Sequence, residues 1–267
     1  MPYWPNGADR LAHQGPSPPA PTPPARPGHR RPHPTDPDSG LGSLDSPRDL
    51  RALRIGWIEY EGTDEEIRRV TEQGRQALLA EGHRVEDVEV RCQNLYPAVV
   101  DILAATEAAG TPPEIESFCD PGRLEIVRHG RTLSGVRVIR AEEVRQNLRA
   151  TLRSVMDRYD LLAMATVPVE PFAADAVGPP WAADPRDLMW LAWAPASYPY
   201  NMTGQPAVSL PAGPTRSGLP AGLQLVGPVG ADDLVLTVAR RLEAMLPPLP
   251  RPPVPDLTPA VTGERTL

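Results

Sequence analysis

Lysine is absent from this sequence of 267 residues, and all 27 strongly basic side chains are arginine. A lysine amine can lose its proton when it is buried, whereas an arginine guanidinium stays protonated in proteins. No side chain here can therefore serve as a neutral-amine base, and only the terminal amine keeps that chemistry. Mechanisms that depend on a lysine base are excluded for this chain.

Cysteine and long apolar runs are also scarce. Cys92 and Cys119 form neither a CxxC pattern nor a Cys/His metal spacing, so the sequence predicts no metal site and no cofactor. The longest apolar run, residues 188–196, is far shorter than the roughly 20 residues that span a bilayer. Since no signal-peptide pattern is present, we expect a soluble cytoplasmic protein.

Positive charge is outweighed by negative charge. The formal net charge is −7 and the isoelectric point is about 5.3. Proteins that bind nucleic acids or anionic membrane surfaces present a basic face. We therefore expect neither a nucleic-acid nor a membrane partner.

Proline, in contrast, is abundant: the sequence has 36, and thirteen of them fall in residues 1–50. Segments that are rich in proline and poor in large apolar side chains do not form a packed core. We expect a disordered Pro-rich tail over residues 1–50, a folded region over residues 51–250 and a second tail over residues 251–267.

The folded region begins with a pattern typical of a β-α-β unit. Apolar residues predict strands over 53–58 and 83–90, and the residues between them have helical spacing. Thr63 is the predicted N-cap of this helix, and Gly82 follows its last turn. Strands that are separated by a helix favour a parallel pair, and hence an α/β fold.

The rest of the folded region adds three strands and several helices. Helices with breaks are predicted over 95–158, strands over 159–166, 206–210 and 223–226, and a last helix over 232–245, with a long Pro-rich loop over 167–185. The sequence contains no GxSxG, GxxxxGK[ST] or GxGxxG motif. His129 is expected to be an exposed loop residue rather than a catalytic base.

The order of motifs over residues 159–245 indicates more about the protein than the strand and helix patterns do. YDLLAMATVPVEPFA is followed by YPYNMTGQPAVSLPAG and then by SGLPAGLQLVG. This order resembles the C-terminal segment of the amidase-signature family, which includes amidases and glutamyl-tRNA amidotransferase A subunits. Among the matching positions are Asn201, Gly204, Pro206, Gly213, Gly218, Gly222 and Gln224. The resemblance implies an α/β fold with a mixed central sheet flanked by helices.

Most of the matching residues are predicted to build strands and turns. Gly204 and Gly213 are expected where a side chain would clash, and Pro206 and Pro211 at strand ends, where no ladder donor is lost. In the family, the loop after the strand that corresponds to residues 159–166 lies near the substrate pocket. The resemblance therefore implies that Thr166, Val167 and Pro168 form part of a pocket wall.

The sequence departs from the family at the residues that carry the chemistry. The family hydrolyses amides with a serine nucleophile, a second serine and a neutral lysine, because an unassisted serine is a poor nucleophile. This chain has no lysine and no GGSS-like stretch, so we predict no catalytic residue in it. Ala194 stands where amidotransferase A subunits carry an aspartate, and glutamine is therefore not the expected substrate.

Three hypotheses follow. The chain is a C-terminal amidase fragment that is inactive by itself, a non-catalytic binding or partner protein that keeps the half-fold, or an enzyme with another mechanism. A half-fold would expose strand edges and apolar faces, and we expect a protein partner or self-association through an exposed sheet edge. The side chains expected to be exposed are Leu161, Leu162, Val208, Leu210, Leu223 and Leu225, with Trp181, Trp190 and Trp193 in the same patch.

Overall fold

A computed structural model describes residues 50, 52–184 and 186–249 of the protein. The predicted tails over residues 1–50 and 251–267 lie outside these described residues, apart from Leu50, which is buried. The described strands are β1 (Arg54–Ile58), β2 (Arg84–Asp87), β3 (Leu161–Ala165), β4 (Ala207–Pro214) and β5 (Pro220–Val226). The described α-helices are α1 (Glu65–Ala80), α2 (Leu95–Gly110), α3 (Pro121–Thr132), α4 (Gly135–Met156), α5 (Tyr198–Thr203) and α6 (Asp232–Met245). None of these helices is long and apolar enough to cross a membrane.

The strands form one mixed sheet in the order β2-β1-β3-β5-β4. β1 is parallel to both β2 and β3, which confirms the predicted β-α-β unit and its parallel pair. β5 is antiparallel to both β3 and β4, and the β4–β5 hairpin has a register shift between Pro211 and Gly213. The α/β fold with a mixed central sheet is thus observed.

β3 lies at the centre of the sheet, and none of its five side chains is more than 7% exposed. On one face of the sheet, Leu161 belongs to a cluster with Val70 of α1 and Val238 of α6. On the other face, Leu162 belongs to a cluster with Leu152 of α4. Because period-two alternation sends successive side chains to opposite faces, β3 contributes to both clusters.

The side chains that were expected to be exposed are mostly buried. Leu161, Leu162, Leu210, Leu223 and Leu225 are 0–6% exposed, and Val208 is half-buried. The expectation of bare apolar sheet faces was wrong, because helices cover both faces of the sheet. The backbone edge of β4 still has no neighbour among the described strands.

The start of α1 is tied to the segment that follows β3. The predicted N-cap, Thr63, instead donates its hydroxyl to the carbonyl of Tyr60 at 2.7 Å, and Asp64 occupies the N-cap position. The Asp64 carboxylate accepts the backbone N–H of Glu170 at 2.7 Å, and the Asp64 N–H donates to the carbonyl of Pro168 at 2.8 Å. A long-range contact therefore replaces the local side-chain cap. Gly82 has a φ of 86° directly after the helix, as predicted.

The contact of α2 with α3 and α4 contains a charged cluster around the buried Asp101. Asp101 accepts two hydrogen bonds from the Arg137 guanidinium at 2.7 and 3.0 Å, and its carboxylate lies 2.8 Å from Nε2 of His129. Burial opposes ionisation of Asp101, but these hydrogen bonds outweigh it and lower the pKa of the carboxyl group. The expectation for His129 was wrong: it lies in α3, and its side chain is 18% exposed.

Gly130 allows α2 and α3 to approach closely. A Cβ at this position would lie 1.9 Å from the carbonyl oxygen of Ala104 and 2.8 Å from the Cβ of Ala108. Gly135, in the first turn of α4, offers a matched control because a Cβ there would have nothing within 4 Å.

We expect Gly130→Ala to lower the free energy of unfolding by about 1–3 kcal/mol, because overpacking pushes the two helices apart. Gly135→Ala should leave this free energy unchanged or raise it slightly, since alanine favours a helix over glycine. Urea denaturation followed by circular dichroism measures both variants. Equal stabilities would contradict the role assigned to Gly130.

His83 is a buried titratable group between α1 and β2. It is 5% exposed, and neither ring nitrogen has a hydrogen-bond partner among the described residues. The Glu81 carboxylate lies 3.4 Å from its Nε2, and the charges of Arg241 and Asp160 also act on it. Burial, the largest effect, lowers the pKa of His83 below its ordinary value of 6.5.

A histidine whose folded-state pKa is depressed destabilises the fold as the pH falls, because the unfolded chain binds the proton more readily. We expect the wild-type protein to lose stability as the pH drops below 6.5, the ordinary pKa of the histidine. His83→Leu should flatten this part of the pH profile. Urea midpoints measured from about pH 7.5 to about pH 5 test the expectation, and parallel profiles for the two proteins would refute it.

Candidate functional site

A groove of about 580 Å³ opens at the carboxyl end of β3. Ligands of α/β proteins commonly bind beyond the carboxyl ends of the parallel strands. Here β3 continues into residues 166–172, which form one wall, and the β4–β5 hairpin forms the other. The lining residues are Ile67, Thr166, Val167, Val169, Glu170, Pro171, Phe172, Trp193, Ser209, Leu210, Pro211, Pro220, Ala221 and Gly222.

A pair of hydroxyl groups lies in the groove. Oγ1 of Thr166, at the end of β3, is 2.7 Å from Oγ of Ser209 in β4, although β5 separates these two strands. Gly222 of β5 makes this contact possible, because a Cβ there would lie 2.8 Å from the threonine oxygen and 3.0 Å from the serine oxygen. The position therefore requires glycine for reasons of space.

An aromatic pair forms part of the groove wall. The rings of Phe172 and Trp193 meet edge to face, with centroids 5.2 Å apart at 84°. The indole Nε1 of Trp193 is buried and has no hydrogen-bond partner within the described part of the chain. Aromatic and proline side chains give the groove a largely apolar surface, with hydroxyl groups as its neutral polar side chains.

Glu170 is the ionisable side chain among the groove-lining residues. Its backbone is held in place by the Asp64 carboxylate, so the wall formed by residues 166–172 is anchored to the start of α1. Within the described ranges, no three His, Cys, Asp or Glu side chains are grouped as metal ligands would be. The groove therefore offers hydrogen bonds and apolar contacts rather than a cluster of charges.

Buried polar side chains on the α4 and α5 side of the sheet hold together the segment that leads to β4. Gln224 donates to the carbonyl of Ala196 at 2.8 Å, and the Tyr200 hydroxyl lies 3.3 Å from the sulphur of Met164. Burial raises the pKa of Tyr60 to about 12 and raises that of Tyr200 well above its ordinary value. These phenols stay protonated at neutral pH, so they do not act as bases.

Of the predicted pocket-wall residues, Thr166 and Val167 line the groove. Pro168 is buried beside them, and its carbonyl accepts the N–H of Asp64. The assignment of these residues to a substrate pocket stays a prediction.

The family-motif residues surround the β4–β5 hairpin. Gly204 ends α5 with a φ of 77°, and Gly218 has a φ of 81° in the hairpin turn. A Cβ at either position would meet nothing within 4 Å, so conformation rather than a clash explains these two glycines. A Cβ at Gly213 would lie 3.5 Å from Val70, an ordinary contact, so the clash expected at Gly204 and Gly213 was wrong. Pro206 precedes β4, and Asn201 is exposed in α5. Gly213, with a φ of 139°, follows Pro211 at the register shift, so Pro211 lies within β4 rather than at its end.

Several groove residues were not identified from the sequence. Ser209, Glu170 and Phe172 lie within the matching motif segments but were not predicted as site residues, and Trp193 was expected in an exposed patch but is half-buried. Alternation along residues 207–210 could have placed Ser209 on the face opposite Leu210. Its contact with Thr166 depends on strand order, which the alternation does not contain.

Known proteins share both the sequence pattern and the fold of this chain. The family model described as Amidase matches residues 28–236. The chain belongs to the amidase family. The match begins within residues 1–50, the segment predicted from the sequence to be a tail.

Curated relatives agree with this family. The chain is 36% identical over 138 residues to an acylamidase of Rhodococcus erythropolis, an alignment that covers 50% of this chain and 28% of the relative. It is 28% identical over 235 residues to a glutamyl-tRNA(Gln) amidotransferase A subunit from a Cyanothece species, covering 74% of this chain and 46% of the relative.

Solved structures of the same family have a similar fold. A 6-aminohexanoate cyclic dimer hydrolase in complex with its substrate aligns with a TM-score of 0.67 at 24% identity, over 85% of this chain and 52% of that one. A bacterial aryl acylamidase aligns with a TM-score of 0.63 at 22% identity, over 73% of this chain and 44% of that one. The chain spans about half or less of the length of these relatives.

Proposed function

We propose that this chain provides the substrate-binding groove of an amidase-lineage protein and does not hydrolyse amide C–N bonds by itself. The observation that carries the proposal is the hydroxyl pair of Thr166 and Ser209 inside a largely apolar groove at the carboxyl end of β3. An acyl or aryl amide matches these features, because it combines an apolar body with one polar group.

Binding alone does not break an amide bond. A serine hydroxyl becomes an effective nucleophile when a neighbouring base accepts its proton. The nearest side-chain partner of Ser209 is the hydroxyl of Thr166, which is not a base, and no histidine lines the groove among the described residues. The 267-residue sequence also contains no lysine. We therefore infer that any hydrolysis at this groove needs reactive groups from outside the described part of the chain.

The purified chain should not hydrolyse acetanilide or a simple aryl ester faster than the uncatalysed background, because no nucleophile–base pair lines the groove among the described residues and the sequence has no lysine. A fluorophosphonate probe, which labels activated serines, should give no saturable labelling. Mass spectrometry of the probe-treated protein checks this at each serine, and Ser209→Ala is the matched control. Labelling that disappears in Ser209→Ala would overturn the proposal.

Binding is the second measurable consequence. We expect the chain to bind acetanilide, and Gly222→Ala to weaken binding about tenfold, because the added methyl group displaces the hydroxyl pair; a factor of ten corresponds to about 1.4 kcal/mol. Gly110→Ala serves as the control, since a Cβ there would meet nothing within 4 Å. Ligand-observed NMR measures the affinities, and thermal melts verify folding. Equal affinities of the two folded variants would place the binding site elsewhere.

A second candidate function is a non-catalytic binding or partner protein that keeps this half-fold. The burial of Leu161, Leu223 and Leu225 favours it, because the described part of the chain covers its own sheet faces. The two functions predict different activities when the cellular partners of the chain are present. If the chain folds cooperatively and binds small amides but still does not hydrolyse them in the presence of these partners, the result supports the non-catalytic function.

A further inference from the structure

The two edges of the sheet are built differently. At one edge, three of the four residues of β2 are charged, in the order Arg84-Val85-Glu86-Asp87. At the other edge, the first half of β4, Ala207–Leu210, carries no charge. Charges on an edge strand prevent pairing with another strand. The β2 edge is therefore protected against pairing, and the first half of the β4 edge is not.

The hydrogen-bond pattern identifies the backbone groups of β4 that have no partner in the described part of the chain. Pro206 accepts the N–H of Gly227 at 2.9 Å, so these two residues form a hydrogen-bonded pair just before the Ala207↔Val226 pair. Hydrogen-bonded and non-hydrogen-bonded pairs alternate along antiparallel strands. The backbone N–H and C=O groups of Ala207 and Ser209 consequently point away from β5, towards the open edge.

The other side of β5 agrees with this assignment. Gly222 uses its carbonyl to accept the N–H of Thr166 at 2.9 Å, so its backbone groups point towards β3 and not towards Pro211. Pro211 in turn has no N–H to offer at the edge. The β4 edge therefore presents the backbone N–H and C=O groups of Ala207 and Ser209. Pro211 ends this series because it has no N–H.

Val208 lies between these two residues and faces the opposite side of the sheet. It is half-buried and packs against the cluster formed with α1 and α6. In an antiparallel pair of two identical segments centred on this residue, the two Val208 side chains would stand directly opposite each other. β-Branched side chains pair favourably across strands, and no like charges would meet.

We propose that the first half of β4 pairs with the same segment of a second copy of this chain. Residue 207 of each copy would stand opposite residue 209 of the other, with Val208 on the two-fold axis. The N–H and C=O groups of Ala207 and Ser209 would then form four hydrogen bonds between the copies. A self-complementary segment is what a two-fold interface requires. The inference does not rest on the proposed amide-binding function.

Light scattering coupled to size-exclusion chromatography tests the pairing. We expect a dimer of twice the 29.0 kDa chain mass that dissociates on dilution. Val208→Arg should raise the dissociation constant at least about tenfold, because it places two like charges opposite each other. Val85→Arg is the matched control, since Val85 is also a half-buried valine of an edge strand that packs against the same cluster. It should leave the dimer intact.

A second variant distinguishes loss of the dimer from loss of folding, because it does not alter the partly buried Val208. Ala207→Pro removes one outward N–H from an exposed residue without disturbing the ladder to β5, so it should weaken the dimer while the thermal melt stays cooperative. Hydrogen exchange should show protection of the Ala207 and Ser209 amides that is lost on dilution. A monomer at all concentrations, or a dimer that Ala207→Pro and Val208→Arg leave unchanged, would overturn the proposal.

Discussion

The enclosure of β3 by strands along both edges and helices on both faces is the constraint on which the other elements depend. Its side chains alternate between two hydrophobic clusters and are almost fully buried, so both clusters must close around it. α1 and α6 cover one face, and α4 and α5 cover the other. A strand that is buried on both faces has a continuous apolar sequence, because neither face contacts water. The run from Leu161 to Ala165 meets this requirement.

The groove is a direct result of where β3 ends. Residues 166–172 leave the sheet and are held by Asp64 at the start of α1, while Gly222 leaves room for the hydroxyls of Thr166 and Ser209 to meet across β5. The wall formed by residues 166–172 is thus held in place by the Asp64 carboxylate, which accepts a backbone N–H. The contact between the two hydroxyl groups depends on Gly222, which has no side chain. The first contact fixes the backbone of the wall, and the second places two neutral hydroxyl groups in a largely apolar groove.

Binding and chemistry are separable in such a protein. A groove needs shape, apolar surface and a few hydrogen-bonding groups, whereas amide hydrolysis needs a nucleophile with a base that can take its proton. The arginine-only composition leaves no lysine amine to act as a base, while arginine still forms surface ion pairs, such as Arg69 with Glu66 and Arg131 with Glu116. The chain keeps the architecture of the amidase family in a sequence that contains no lysine.

The sequence by itself determined the lack of a lysine base, the family resemblance, the β-α-β start and the bounds of α6 over Asp232–Met245. These features depend on composition, local spacing and helix-end signals, which a single segment contains. The tertiary structure alone decided the burial of the sheet leucines, the contact of His129 with Asp101, the replacement of Thr63 as N-cap and the meeting of Thr166 with Ser209. Each of these joins residues that are brought together by strand order or helix packing. Local periodicity does not encode which partner a residue meets across another element of the fold.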